Sequence, residues 1–123
     1  MIRSGIVLLC VLALAGCGGG NKIPDDIIAR EKMEKVLWDM MIADRYSAQF
    51  LAKDSASRDV KKETFQLYES VFQTHGIRRD EFIKSFKYYL NRPDLGKIMF
   101  DSLAARGNRK RDELYKSQPK NPE

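Results

Sequence analysis

The chain has 123 residues, with 22 lysine and arginine residues against 17 aspartate and glutamate residues, and this length suits one small domain. The basic excess is local, because residues 104–123 hold six basic and three acidic residues while the body of the chain is close to neutral. There is one histidine, and both cysteines lie near the N-terminus. The remainder therefore lacks the residues for a disulfide, a Cys/His metal site or a Cys/His nucleophilic pair.

The first predicted element is a signal sequence. Arg3 precedes ten apolar residues, Ile6–Ala15, which match the apolar core of a signal peptide and are too few to span a bilayer core of about 30 Å. The following Gly16-Cys17 completes the stretch Leu-Ala-Gly-Cys, which resembles the bacterial lipobox. This resemblance implies a diacylglyceryl group on Cys17 and cleavage between Gly16 and Cys17. The alternative is an ordinary secretory signal in which Cys17 is incidental.

In the lipobox interpretation, residues 1–16 are removed and the mature chain begins with an acylated Cys17. Each buried methylene contributes about 0.8 kcal/mol, so several acyl chains form a lasting anchor. Residues 17–24 begin with Cys-Gly-Gly-Gly-Asn-Lys and are predicted to be a flexible tether. We expect attachment to a membrane through Cys17, and neither a cofactor nor a bound metal.

The first two helices follow from apolar residues at three- and four-residue steps. The first is predicted at about Arg30–Ala52, and the second lies within residues 57–76 after a short polar linker. Gly76 suits the position after a helix end, where a left-handed backbone costs little for glycine. The predicted packing face of the first helix consists of Met33, Val36, Leu37, Met40, Met41, Ser47, Ala48 and Leu51.

The third and fourth helices meet at Pro93, which is favoured at a first helical position. The third helix has Phe82, Ser85, Phe86 and Tyr89 on its inner side. The fourth is predicted at about Pro93–Ala105, with a packing face of Leu95, Ile98, Met99, Ser102 and Leu103.

Gly107 is predicted to stop the fourth helix, which leaves residues 107–123 as a disordered, basic tail. The sequence thus predicts an all-α fold over residues 25–106, in which one long amphipathic helix is followed by three shorter helices in a small bundle.

Two segments, Arg30–Asp44 and Tyr68–Asp94, together with the lipobox resemble the small helical lipoproteins of Bacteroidetes that are grouped as domain of unknown function 4296. The similarity covers roughly Ile23–Leu103. It implies an envelope lipoprotein with a compact helical domain and no established reaction. Ala29 and Arg78 stand where the family has proline and serine or threonine, which weakens two helix starts by about 0.5–2 kcal/mol each.

Asp44 is the first candidate polar residue, because it falls within the apolar face of the first helix. We interpret it as a buried structural group that bonds to a tyrosine, a serine or a backbone amide of another helix. Asp39 lies five residues earlier, on a different helix face, so the two carboxylates are not expected to form an acid/base pair.

His75 precedes Gly76 at a helix C-terminus, where the negative end of the helix dipole stabilises a cationic side chain. Capping is therefore its predicted role. Ser70, His75 and Asp80 contain the residue types of a catalytic triad, but no nucleophile elbow surrounds the serine. No catalytic residue is therefore predicted.

Two features are candidates for binding a partner. Tyr88 neighbours the inward-facing Tyr89 and is turned toward the rim, where it suits an interface or stacking on sugar rings, although a half-buried position at the core edge is the commoner outcome for tyrosine. The basic C-terminal segment would indicate nucleic acid in a cytosolic protein, but export directs it to lipid phosphates, lipopolysaccharide or acidic proteins. The favoured interpretation of this segment is nevertheless a solubilising, disordered tail. The basic candidates are Arg106, Arg109, Lys110 and Arg111.

Three functions are compatible with these features. The favoured one is a non-catalytic interaction or assembly module, chaperone-like in one version, that binds an envelope protein. The alternatives are a surface-exposed accessory lipoprotein for nutrient binding or uptake, and an envelope hydrolase. Gly18 in place of aspartate after Cys17 favours the outer membrane. The stretch Gly18–Lys22 before the first acidic residues slightly favours the periplasmic face over the cell surface.

Overall fold

The computed structural model describes residues 22–54, 56 and 59–118, which form an all-α fold. No strand occurs within these ranges, and a long first helical segment is followed by the other helices in a small bundle, as predicted. The predicted signal peptide, the Gly16-Cys17 cleavage site and most of the tether lie outside the described residues. The helices are α1 (Arg30–Tyr46), α2 (Val60–Thr74), α3 (Arg79–Leu90) and α4 (Pro93–Ser117).

The first helical segment is not a single regular helix. α1 continues into a π-helical turn, Ser47–Leu51, and then into a 3-10 turn, Ala52–Asp54. Met41 is exposed, contrary to the prediction, because it is rotated by about 100° from Met40, which packs against the core. The buried side chains of this segment are Met33, Val36, Ala43, Ser47 and Leu51.

The starts and ends of α2 and α3 are fixed by local hydrogen bonds. The Asp59 side chain caps α2 by accepting from the Lys62 backbone N–H at 3.1 Å. Gly76 has a φ of 60°, so the predicted left-handed residue after α2 is confirmed. At the start of α3, the Arg78 N–H donates to Glu81 Oε2 at 2.7 Å, which offsets part of the loss of a serine or threonine cap.

Hydrogen bonds in the core join the segment before α1, at Ile28, to α3. Tyr89 and Ser85 are fully buried, and both bond to the backbone of Ile28. The Ile28 N–H donates to Ser85 Oγ at 2.8 Å, and the Tyr89 hydroxyl donates to the Ile28 carbonyl at 2.8 Å. The chain therefore joins the domain at the end where α1 begins, which we call the base. The main core cluster consists of Ile27, Met33, Val36, Phe72, Phe82, Tyr89 and Met99.

α4 begins with Pro93 at its first position, as predicted, and has Met99 and Leu103 in its packing face. Ile98 is exposed, contrary to the prediction, because it is rotated by about 100° from Met99. Gly96 is buried against α3, and a Cβ atom placed on it would lie 2.6 Å from the backbone oxygen of Tyr89.

The predicted disordered tail is wrong over residues 107–117, because α4 continues through Gly107 to Ser117. A glycine lowers the stability of a helix by only about 1 kcal/mol, and the residue before Gly107 makes a contact that favours continuation of the helix. The Arg106 guanidinium lies 4.4 Å from the centroid of the Trp38 ring. The predicted domain boundary at residue 106 thus falls inside a helix. Residues 108–117 are all exposed, and we call them the α4 arm.

α1 and α4 run parallel. Ser102 donates to Glu34 Oε2 at 2.9 Å, and Arg106 lies over Trp38, so both contacts join residues that are 68 apart in sequence. The same offset places residues 42–46 of α1 level with residues 110–114 of the arm. The C-terminal end of α1 and the arm therefore lie together at the end of the molecule opposite the base, which we call the distal end. No described helix is both long and apolar enough to cross a membrane.

Candidate functional site

A row of polar side-chain pairs joins the first helical segment to α2. Ser47 bonds to Thr64, the Tyr68 hydroxyl donates to Asp44, and His75 Nε2 lies 2.7 Å from Asp39 Oδ2. Along this row the residue number rises on α1 while it falls on α2, as expected for antiparallel helices. The three pairs fix the register of the two helices, because each side chain finds its partner in only one alignment.

The predicted partner of Asp44 is present, since Tyr68 belongs to another helix. Asp44 is nevertheless exposed rather than buried, because the pair lies at the edge of the α1–α2 contact. The hydrogen bond to Asp44, together with partial burial, raises the pKa of the Tyr68 hydroxyl to about 12. The neutral phenol is thus the form that the folded state favours.

A Tyr68→Phe variant tests this contact through its pH dependence. Because the pKa of Tyr68 is raised in the folded state, its contribution to stability is complete below pH 10, the ordinary tyrosine value, and is lost as the pH rises through about 12. We expect Tyr68→Phe to lower the free energy of unfolding by about 1 kcal/mol at neutral pH and to flatten its decline above pH 10. Urea denaturation across this range measures both effects.

The matched control is Tyr115→Phe, at an exposed tyrosine of the arm. It should leave the pH profile as it is in the original chain. An equally steep decline in Tyr68→Phe would contradict the role of the Asp44 contact.

The pairing of Asp39 with His75 was not predicted from the sequence. His75 ends α2, as predicted, but its side chain is mostly buried and faces Asp39. The missing information was the antiparallel register of α1 and α2, which brings these residues together across 36 positions. A helical wheel of α1 alone places Asp39 away from Asp44 and gives it no partner.

The structure does not assemble the triad of Ser70, His75 and Asp80. Ser70 Oγ donates to the Gln66 carbonyl, and the Asp80 carboxylate pairs with Arg78 at 3.0 Å. No group of three or more potential metal ligands occurs within the described ranges. One open groove runs along α2, and a second lies between α2 and the end of the first helical segment, where Tyr46 and Leu51 line it. Asp44, His75 and Tyr88 line neither groove.

The predicted partner-binding residues do not form one patch. Tyr88 is half-buried near the base, where its ring meets the edge of Tyr89 and its hydroxyl accepts from Arg92 at 3.3 Å. The basic candidates lie on the distal part of α4, roughly 20–27 Å along the helix from Pro93. Of these, Lys110 pairs with Glu113 and Arg111 with Asp112, both over more than 3 Å.

An exposed apolar row on the first helical segment was missed by the sequence interpretation. Ile42, Tyr46 and Phe50 are 52%, 47% and 59% exposed, and the rings of Tyr46 and Phe50 lie 5.1 Å apart. We call these three residues the outer stripe. Their four-residue spacing could have revealed the stripe as a second apolar face, but the inner face dominated the pattern. The stripe lies at the distal end, level with the arm.

The sequence matches one family model. The family is described as "Domain of unknown function (DUF4296)", and the match covers residues 24–113, so it includes much of the α4 arm. No curated protein and no solved structure matches the chain.

Proposed function

We propose that this chain, which belongs to the DUF4296 family, is a lipid-anchored, non-catalytic interaction module of the bacterial cell envelope. The observation that carries the proposal is the outer stripe. Its three large apolar side chains form a row at the end of the first helical segment, and each leaves about half of its surface exposed, although Tyr46 also lines a groove beside α2. Scattered apolar residues are normal on a protein surface, whereas a contiguous row indicates a binding surface.

The stripe has the chemistry of a protein interface. Tyrosine and phenylalanine provide large contact areas with few rotatable bonds, and aromatic residues are enriched where binding energy concentrates. Ile42 and Tyr46 are four residues apart on α1, and the Phe50 ring of the following π-helical turn lies 5.1 Å from that of Tyr46. The three side chains therefore form one row, which suits insertion into an apolar groove of a partner. The partner that fits this surface is therefore another protein.

The position of the proposed anchor agrees with this assignment. Cys17 precedes Lys22, the first described residue, by five positions, and the chain joins the domain at the base. The stripe lies at the distal end, so a lipid group on Cys17 would leave it pointing toward the compartment rather than into the membrane. We place this compartment at the outer membrane, on its periplasmic face.

Photo-crosslinking in cells tests the proposal. A crosslinking amino acid at Tyr46 of the full chain should give a specific adduct with an envelope protein, whereas the same group at Lys87, exposed on α3, should give much less. Cys17→Ala should abolish palmitate labelling, release the protein from the membrane fraction and weaken the Tyr46 adduct, since anchoring raises the local concentration of both partners.

Equal adducts from Tyr46 and Lys87 would contradict the interaction surface, and unchanged membrane association of Cys17→Ala would contradict the anchor. Protease treatment of intact cells separates the two faces of the membrane. Degradation without lysis would favour the surface-exposed accessory lipoprotein over the periplasmic module.

A further inference from the structure

The α4 arm is the exposed C-terminal part of a helix whose first half packs against the bundle. All ten of its residues are exposed, and Leu114 and Tyr115 are 54% and 66% exposed. Leu114 continues the line of Met99 and Leu103, which pack into the core closer to the base. Helices in proteins gain most of their stability from packing, so this exposed helix end would gain order from a partner. Because the family match extends to residue 113, residues 108–113 of the arm lie within the matched domain.

The charge of the arm selects among partners. Four basic residues, Arg109, Lys110, Arg111 and Lys116, outnumber the two acidic residues of the arm. Near the same level of the bundle, Arg45 of α1 and Arg106 of α4 add two positive charges and the exposed Asp44 of α1 adds one negative charge, so the balance stays positive. The distal end therefore combines the apolar outer stripe with a basic helix.

We propose that the distal end binds an acidic amphipathic helix of a partner protein, with the apolar side of that helix on the outer stripe and its carboxylates facing the α4 arm. This inference rests on the proposed function, and it adds the chemical class of the partner. The positive charge of the distal end attracts a negatively charged partner helix and speeds their encounter. The parallel arrangement of α1 and α4 places Ile42 and Tyr46 of the stripe level with residues 110–114 of the arm.

Two other occupants fit less well. A second copy of this chain would bring the same basic surface opposite itself, which repels. An anionic membrane would have to meet the end of the domain that is farthest from the base, where the chain joins it. An acidic helix of a partner protein involves neither like-charge repulsion nor contact with the membrane, and its length of a few turns matches that of the arm.

A binding experiment with defined peptides tests the charge preference. The full chain is purified in nonionic detergent and titrated with an 18-residue amphipathic peptide of leucine and glutamate, and separately with its leucine and lysine counterpart. Trp38 is the only tryptophan and lies beneath Arg106, so its fluorescence reports on the distal end. We expect saturable binding of the acidic peptide and binding of the basic peptide that is at least about tenfold weaker.

Charge reversal locates the site. Arg109→Glu in the arm should weaken binding of the acidic peptide by about tenfold, because it turns an attraction into a repulsion. The matched control is Lys32→Glu, at an exposed lysine in the first turns of α1 near the base, which changes the net charge by the same amount. This control should bind within about twofold of the original chain, since charges far from the site are screened by salt. Hydrogen exchange of residues 108–117 should slow when the acidic peptide is bound.

Several results would overturn the inference. These are no saturable binding of the acidic peptide, equal binding of both peptides, equal effects of Arg109→Glu and Lys32→Glu, or unchanged exchange in the arm. Preferential binding to phosphatidylglycerol vesicles, or dimerisation that depends on Arg109, would assign the surface to a membrane or to a second copy. If the Tyr46 crosslink in cells persists while the peptides show no charge preference, the interaction module stands and only the acidic partner falls.

Discussion

Replacing Tyr89 with alanine is expected to lower the free energy of unfolding by about 3–5 kcal/mol, as for other large buried aromatic side chains. Tyr89 is fully buried in the core, and its hydroxyl holds the Ile28 carbonyl at 2.8 Å. The variant loses both the packing and this bond, and a small domain has only about 5–15 kcal/mol of stability in total. Urea denaturation measures the loss as a lower midpoint.

Two control variants divide this effect. Tyr89→Phe keeps the ring and removes the hydroxyl, so we expect a loss of about 1–3 kcal/mol from the unpaired Ile28 carbonyl. Tyr88→Ala removes a half-buried tyrosine at the adjacent position and should cost less than Tyr89→Ala. A Tyr89→Ala midpoint close to that of the original chain would mean that α3 does not hold the segment before α1.

Replacing Gly96 with alanine is expected to lower the free energy of unfolding by about 1–3 kcal/mol, as overpacking does elsewhere. The added Cβ would lie 2.6 Å from the backbone oxygen of Tyr89, which cannot move without shifting α3. This steric cost exceeds the gain of about 1 kcal/mol that alanine normally brings to a helix in place of glycine. The close approach of α3 and α4 therefore requires glycine here.

Gly107→Ala on the same helix is the matched comparison and should have the opposite sign. Its nearest neighbour would be a Trp38 ring atom at 4.0 Å, an ordinary contact, so the helix propensity gain of about 0.5–1 kcal/mol remains. Thermal denaturation of both variants checks the pair. A stabilised Gly96→Ala protein would show that the contact between α3 and α4 is looser than 2.6 Å implies.

The sequence was sufficient for the features that depend on local chemistry. Gly76 and Pro93 mark helix ends because their backbone preferences are intrinsic, and both occur where predicted. The inner faces of α3 and α4 follow from spacing alone, apart from Ile98. Gly107 was misjudged because a glycine weakens a helix without ending it, and the favourable Arg106–Trp38 contact comes from a different helix.

The candidate site depended on information that no single segment contains. Asp39 meets His75, and Asp44 meets Tyr68, only through the register of two helices. The outer stripe was hidden because its spacing is shared with the inner face of the same helix. The combination of stripe and arm arises from the parallel pairing of α1 and α4, which joins residues 68 positions apart.

That parallel pairing also has a consequence for the order in which the chain can assemble. The contacts between α1 and α2 join residues that are relatively close in sequence. Ile28, by contrast, bonds to Ser85 and Tyr89, and Glu34 bonds to Ser102, all far along the chain. Contacts between distant residues form late, because closing a long loop costs entropy first. During synthesis or export with the N-terminus leading, the α1–α2 hairpin can form early, but residues 28–34 remain without their final partners until nearly the whole domain has emerged.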